Sequence, residues 1–242
     1  MLNKDLEGKA VLVTGGGQGL GAAICTELAT GGATVFVADL SQDAAERVAA
    51  TLSSDGLRAI ALQGDIGSED DVKRLLDDVK RRSGRLDALV NNAGIDKTTG
   101  IDSLEVGQWD AIIRTNLRGP FLLAKFALPL LRETQGDVIN VASTAAKRGW
   151  PNASAYHASK WGLLGLSYAL HAEFREHKVR VTAVIAGGMR TPFLLDRFPD
   201  LDPSKLQDPR DVARAVRFAL TQPRESVVAE ITVLPVQETS WP

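Results

Sequence analysis

The chain has 242 residues, 44% of them hydrophobic and 24% charged, with 28 basic residues against 30 acidic for a net charge of −2. That length can bury a substantial core in one large domain, and a balanced charge without a basic stripe argues against a nucleic-acid binder. No apolar run reaches the roughly 18 residues of a membrane span, the start lacks a signal peptide's apolar centre, and the lone Cys25 suits a reducing compartment, so a cytoplasmic location is expected.

Short β-rich runs alternate with helical ones. The first apolar run, 10–13, ends in Thr14-Gly-Gly-Gly-Gln-Gly-Leu-Gly21 and passes directly into a helical stretch over 20–30. The second strand, 34–38, is followed by Asp39 and a helix over 43–53; a strand at 57–63 and a helix over 70–82 come next. The series continues with a strand at 86–90, a long helix over 109–132, a strand at 137–141, a helix over 155–176, a strand at 179–185, a helix over 209–220 and a strand at 227–234. Nearly continuous apolar strands are buried on both faces, which a parallel sheet between two helix layers requires. The expected fold is therefore α/β, a doubly wound, mostly parallel seven-stranded sheet with helices on both faces, in one domain over 1–242. The one long irregular piece, 187–208, is read as a lid over a substrate site.

The glycine loop is the first chemical signal. Glycines let the backbone turn tightly against a pyrophosphate, whose charge is favoured at a helix N-terminus. The spacing Gly17-x-Gly19-x-x-Ala22 fits only the looser form of the dinucleotide fingerprint, and a plain strand-to-helix turn is the alternative. Asp39 ends the second strand where a ribose-binding acid belongs. A carboxylate there accepts from both ribose hydroxyls and repels a 2′-phosphate. With Leu40 next, and no Lys or Arg in the glycine loop, the cofactor expected is NAD rather than NADP.

Further along stand Asp65-Ile66, Asn91-Asn-Ala-Gly94, Asn116, Ser143 and Tyr156-x-x-x-Lys160. Together with Thr14-Gly15-x-x-x-Gly19-x-Gly21 they resemble the short-chain dehydrogenase/reductase family in order and rough spacing, over essentially the whole chain. The resemblance implies a Rossmann fold and a catalytic tetrad of Asn116, Ser143, Tyr156 and Lys160. It implies a cofactor site of Gly15, Gln18, Gly19, Leu20, Gly21, Asp39, Leu40, Asp65, Ile66, Asn92, Ala93, Gly94, Tyr156, Lys160, Gly187 and Thr191. It departs at one place: Ala186 stands where the family usually carries proline, which is expected to relax the turn that seats the nicotinamide.

The tetrad suits hydride chemistry. Transfer to a carbonyl leaves an alkoxide that needs a proton, and a tyrosine serves in both directions if its pKa falls from about 10 toward the working pH. Tyr156 and Lys160 share one helix face, so the ammonium is expected to stabilise the phenolate. Ser143 can donate to the developing oxyanion, and Asn116, a poor helix former in mid-helix, suggests a local distortion. The bland alternatives are a core tyrosine with a snorkelling lysine, a turn serine and a solvent-facing asparagine. His157, His171 and His177 read as structural, no cluster has metal-ligand spacing, and Cys25 reads as core.

The function expected is an NAD-dependent oxidoreductase interconverting a secondary alcohol and a ketone, with Tyr156 as general acid/base. The alternatives are a 3-oxoacyl-thioester reductase of the same family, a catalytically silent NAD-binding scaffold, and an epimerase or dehydratase. No nucleic-acid or membrane partner is expected. Lys147 and Arg148 either attract a substrate carboxylate or form a solvated pair; Trp150 and Phe193 either touch substrate or pack on their own loops. Phe121, Leu122, Phe126 and Leu130, with Leu163, Leu164, Leu166 and Leu170, exceed what one sheet face covers, so a homotetramer, or at least a dimer, is expected.

Overall fold

The computed structural model describes residues 4–238, so both ends of the expected 1–242 domain lie outside the described residues. Seven strands form one parallel sheet: β1 (Ala10–Thr14), β2 (Thr34–Asp39), β3 (Ala59–Gln63), β4 (Ala88–Asn91), β5 (Asp137–Val141), β6 (Arg180–Ala186) and β7 (Glu230–Val233), in the order β3-β2-β1-β4-β5-β6-β7. Every residue of β1, β5 and β6 is buried, as strands covered on both faces must be.

Among the described residues the α-helices, most of which supply that cover, are α1 (Gly19–Thr30), α2 (Gln42–Ser54), α3 (Glu69–Ser83), α4 (Val106–Ile113), α5 (Gly119–Thr134), α6 (Ser154–Phe174), α7 (Pro192–Leu195) and α8 (Pro209–Leu220). Alternation along β1 divides the core. Val11 and Val13 pack with Ile24 and Leu28 of α1 and Val212 and Val216 of α8, whereas Leu12 packs with Leu75 of α3 and Leu123 and Leu131 of α5. The side chains of Ser41, Ser68 and Asp208 cap α2, α3 and α8 by accepting from Ala44, Asp71 and Arg210 N–H groups. None of the described helices is long and apolar enough to cross a membrane.

The stretch 109–132 is not one helix. It breaks between α4 and α5 at a π-helical turn over Arg114–Arg118, where the Gly119 N–H reaches back to the Arg114 carbonyl. Pro120 accounts for the break, because it has no N–H to give the Asn116 carbonyl four residues earlier. The distortion expected at Asn116 is thus present, and it turns that side chain fully inward. At Ala186 the ladder continues: Ala186 pairs with Val233, and the Gly187 N–H donates to the Val233 carbonyl at 2.9 Å.

The order of the strands reverses between β1 and β4, and ligands in doubly wound sheets bind at the carboxyl ends of strands beside such a switch. Behind it runs a buried polar chain. Asn91 Nδ2 donates to Asn140 Oδ1 at 2.8 Å, Asn140 Nδ2 donates to Ser167 Oγ at 2.9 Å, and Ser167 Oγ donates to the Leu163 carbonyl at 2.7 Å. It ties β4 and β5 to α6, the helix that carries Tyr156 and Lys160. Ser167→Ala leaves the Asn140 amide without its acceptor and should lower unfolding stability by about 1–3 kcal/mol; a urea titration of the variant against wild type reads the loss directly.

Candidate active site

A single cavity of about 1170 Å³ runs along the carboxyl ends of the strands, from Asp39 and Leu40 to Trp150, Phe193 and Leu201. At one end lies the glycine loop. Gly15 adopts φ +63° and Gly19 φ +53°, a region that disfavours any residue with a Cβ. A Cβ at Gly15 would stand 2.8 Å from the Ala93 Cα, and one at Gly21 only 1.9 Å from the Gly15 carbonyl oxygen. Asn92 holds the loop from below, its Nδ2 donating to the carbonyls of Thr14 at 2.9 Å and Gly15 at 3.2 Å. Helix α1 opens onto the cavity with no side-chain cap and no acid in its first turn, unlike α2, α3 and α8. Uncapped N–H groups and a cradle that a Cβ would fill are what a pyrophosphate needs, so these residues fit a dinucleotide.

Asp39 sits at the tip of β2. Its Oδ2 accepts from the Gly17 N–H at 2.9 Å and its Oδ1 from the Ser41 N–H at 3.0 Å, which fixes the carboxylate at the cavity wall. Leu40 beside it is exposed. Asp65 and Ile66 line the same end; the Asp65 carboxylate accepts from the Gly67 N–H at 2.8 Å and pairs with Arg114 at 2.9 Å. Gln18, Leu20, Asn92, Ala93, Gly94, Gly187 and Thr191 also line the cavity, so the structure gathers every cofactor residue read from the sequence.

Ser143, Tyr156 and Lys160 meet at the other end. Ser143 Oγ accepts from the Ala145 N–H at 3.1 Å, which leaves its own proton to donate toward the Tyr156 hydroxyl. Lys160 is buried, donates to the Val141 carbonyl at 2.9 Å and stands 5.7 Å from the centre of the Tyr156 ring. The electrostatics differ from the sequence expectation. Burial pushes Tyr156 up to about 12, and the Ser143 hydrogen bond only partly offsets it. Burial also pulls Lys160 down to about 8. Desolvation is the largest influence on both groups, and the chain by itself does not bring the phenol toward neutrality. Asn116 stands behind this wall rather than in it. Its Oδ1 accepts from the Ile95 N–H at 2.8 Å, and its Nδ2 donates to the Ile95 carbonyl at 2.8 Å and to Ser159 Oγ at 3.0 Å.

The lid closes over Tyr156. The Phe193 ring lies 5.9 Å from the Tyr156 ring, so Phe193 belongs to the cavity wall. Trp150 packs edge-on against His157 at 4.3 Å and also lines the cavity. His157 is structural: its Nε2 accepts from the Trp150 N–H at 3.1 Å and its Nδ1 faces the Ala145 carbonyl at 2.9 Å. Lys147 turns away to pair with Glu230 at 2.9 Å, and neither Lys147 nor Arg148 lines the cavity, so no substrate carboxylate meets them there. Several charged wall residues escaped the sequence reading as site residues, among them Arg114, Arg197, which pairs with Asp96, Lys205, and Glu238, whose Oε2 accepts from the Gly188 N–H at 3.2 Å. None belongs to a motif, and only the fold brings each to the cavity.

Comparison with known proteins gives a consistent picture. The sequence model of the short chain dehydrogenase family matches residues 9–202. An uncharacterized oxidoreductase of Staphylococcus aureus strain N315 is 34% identical over 96% of this chain and 99% of its own length. A short chain dehydrogenase/reductase of Colletotrichum higginsianum is 38% identical over 81% of this chain and 74% of its own. Among solved structures, a metagenomic short-chain oxidoreductase in complex with NADP is 31% identical, with a TM-score of 0.85 over 96% of this chain and 99% of that one. A 3-ketoacyl-(acyl-carrier-protein) reductase from Brucella melitensis complexed with NADH is 32% identical, with a TM-score of 0.87 over 96% and 99%.

The tightest contact in the cradle gives a direct test. Gly21→Ala must push α1 away from the Gly15 carbonyl. NADH titration followed by its fluorescence should show at least a tenfold weaker affinity, about 1.4 kcal/mol, with the far-ultraviolet circular dichroism of the wild type retained.

Proposed function

The chain belongs to the short-chain dehydrogenases, and from that premise we propose that it is an NAD-dependent dehydrogenase interconverting a secondary alcohol and a ketone. The observation that carries this reading is the meeting of Ser143, Tyr156 and Lys160 in one cavity with the glycine loop. The nicotinamide supplies hydride exchange with the carbinol carbon. The chain's own residues handle the oxygen. Ser143 donates to it, and Tyr156 takes its proton in oxidation or returns one in reduction. Lys160 places positive charge beside the phenol ring, and the cofactor's oxidised ring would add to that charge. Asn116 positions the Ile95 segment of the wall.

Preference for NAD rests on Asp39, whose fixed carboxylate would repel a 2′-phosphate, and on the apolar Leu40 beside it. Oxidation is the favoured direction, since an NAD pool is kept mostly oxidised. The substrate expected is of small to medium size, with an apolar body facing Phe193 and Phe198. The second reading, reduction of a 3-oxoacyl thioester, is favoured by the likeness to the Brucella reductase. We further propose a cytoplasmic enzyme, folded as one domain and assembled as a dimer or tetramer. Of the residues expected to drive assembly, Leu122, Leu130, Leu163, Leu164 and Leu170 are already buried within the chain. On α5 and α6 the exposed aromatics are Phe121, Trp161 and Tyr168. These offer an apolar surface that a second copy would cover.

Four measurements test the reading. NADH formation from cyclic, aryl and hydroxy-acid secondary alcohols should exceed reduction of acetoacetyl thioesters; a tenfold advantage for the thioester, about 1.4 kcal/mol in barrier, would make the second reading the answer. Tyr156→Phe should bind NADH normally and lose about 10²–10⁴-fold in turnover, whereas Asp39→Ala with Leu40→Arg should shift the kcat/KM preference toward NADP. Light scattering at micromolar concentration should give the mass of a dimer or tetramer, and a monomer would refute the assembly.

A further inference from the structure

The Asp96 carboxylate, in the loop between β4 and α4, is unusual among the acids of this chain. Its side chain is only 5% exposed, and its Oδ1 has no hydrogen-bond partner. Its Oδ2 pairs with Nη1 of Arg197, which follows α7 on the lid. Arg197 is itself well anchored. Its Nε donates to the Phe193 carbonyl at 2.7 Å, and its guanidinium lies 4.1 Å from the centre of the Phe193 ring. That ring in turn packs on Tyr156. Asp96, Arg197, Phe193 and Tyr156 all line the same cavity. A buried, half-satisfied carboxylate is costly on its own and tolerable with a cation against it. The lid supplies that cation.

We propose that the Asp96–Arg197 pair is a latch that ties closure of the lid to the proton chemistry of Tyr156, with Arg197 as the positioning residue. The inference rests on Tyr156 being the acid/base group. With the lid shut, the guanidinium cancels most of the Asp96 charge and holds Phe193 over the phenol. With the lid displaced, Asp96 faces Tyr156 without its counter-ion and opposes the phenolate. The charged and titratable groups around Tyr156 are Asp96 from the β4–α4 loop, Arg197 from the lid and Lys160 from its own helix, with the Ser143 hydroxyl after β5. Asp96 raises the Tyr156 pKa and Arg197 lowers it, the opposition that the latch requires. Under the closed lid the latch thus keeps the Asp96 charge from adding to the desolvation that already raises Tyr156.

The chain has two tyrosines, so in a Tyr168→Phe background the tyrosinate absorbance reports Tyr156 alone. Stopped-flow pH jumps read the ionisation midpoint before alkaline unfolding sets in. Asp96→Asn should lower the midpoint by about one pH unit and Arg197→Gln should raise it by a similar amount, while Arg197→Lys, which keeps the charge, should stay near the parent. Equal midpoints in all the proteins, a lowered midpoint in Arg197→Gln, or an Arg197→Lys midpoint matching Arg197→Gln would each overturn the latch. Because the signal is the phenol itself, the latch is judged without turnover. The acid/base reading fails separately if Tyr156→Phe keeps its activity.

Discussion

The closest backbone approach in the cavity is the constraint on which the rest depends. The glycine loop passes so near β4 that a single Cβ at Gly15 would meet the Ala93 Cα at 2.8 Å, and one at Gly21 would meet the Gly15 carbonyl at 1.9 Å. That approach brings the start of α1 to the strand-order switch and lets Asn92 hold the loop from the neighbouring strand. It also brings Thr191, at the start of the lid, against Gly19, where a Cβ would meet the Thr191 Cβ at 3.4 Å. Loop, switch point and lid therefore share one set of contacts. A change that lifts the loop by an ångström disturbs all three, because packed interiors transmit strain rather than absorb it.

Burial sets the chemistry at the other end. A phenol and an ammonium taken out of water both move toward their neutral forms, and Tyr156 and Lys160 do so, to about 12 and about 8. A site built only for stability would avoid this. Here the neutral tyrosine is stored beside groups that can favour its ionised form: the Ser143 hydroxyl, the Lys160 ammonium anchored to the Val141 carbonyl, and any cation brought close to the ring. Desolvation makes each of these influences stronger, since the same charge acts through a lower dielectric. The raised pKa and the sensitivity to neighbouring charge are two results of one burial.

What the sequence reveals here follows from how local each signal is. The inner strands are legible because both-face burial writes a continuous apolar run, as in β1 and β6. The glycine loop, Asp39 and the Tyr156–Lys160 pair are legible because their spacing along the chain is their spacing in space. The π turn at Arg114–Arg118 is only half legible: Asn116 and Pro120 hint at it, but the partner that holds Asn116 inward is the Ile95 backbone, supplied by the fold. Lys147 shows the same limit. Its closeness to Ser143 in sequence suggests a substrate contact, yet β7 returns Glu230 to its side and turns it away. Leu122, Leu130, Leu163, Leu164 and Leu170 show a related limit: a helix such as α6 can bury leucines on several sides within one chain, against β6, α4 and the turn after β5.

Asp96 and Arg197 carry that argument furthest, because they are 101 residues apart in sequence and belong to no motif. Each alone looks like an ordinary loop charge. The fold removes Asp96 from water, and only then does the lid's arginine become necessary to it. The cavity's catalytic end is thus built from two kinds of information. The residues proposed to act on the reacting oxygen are fixed by short-range spacing on α6 and at the end of β5. The residues that decide when that end is dry and electrically balanced are fixed by where two distant loops meet.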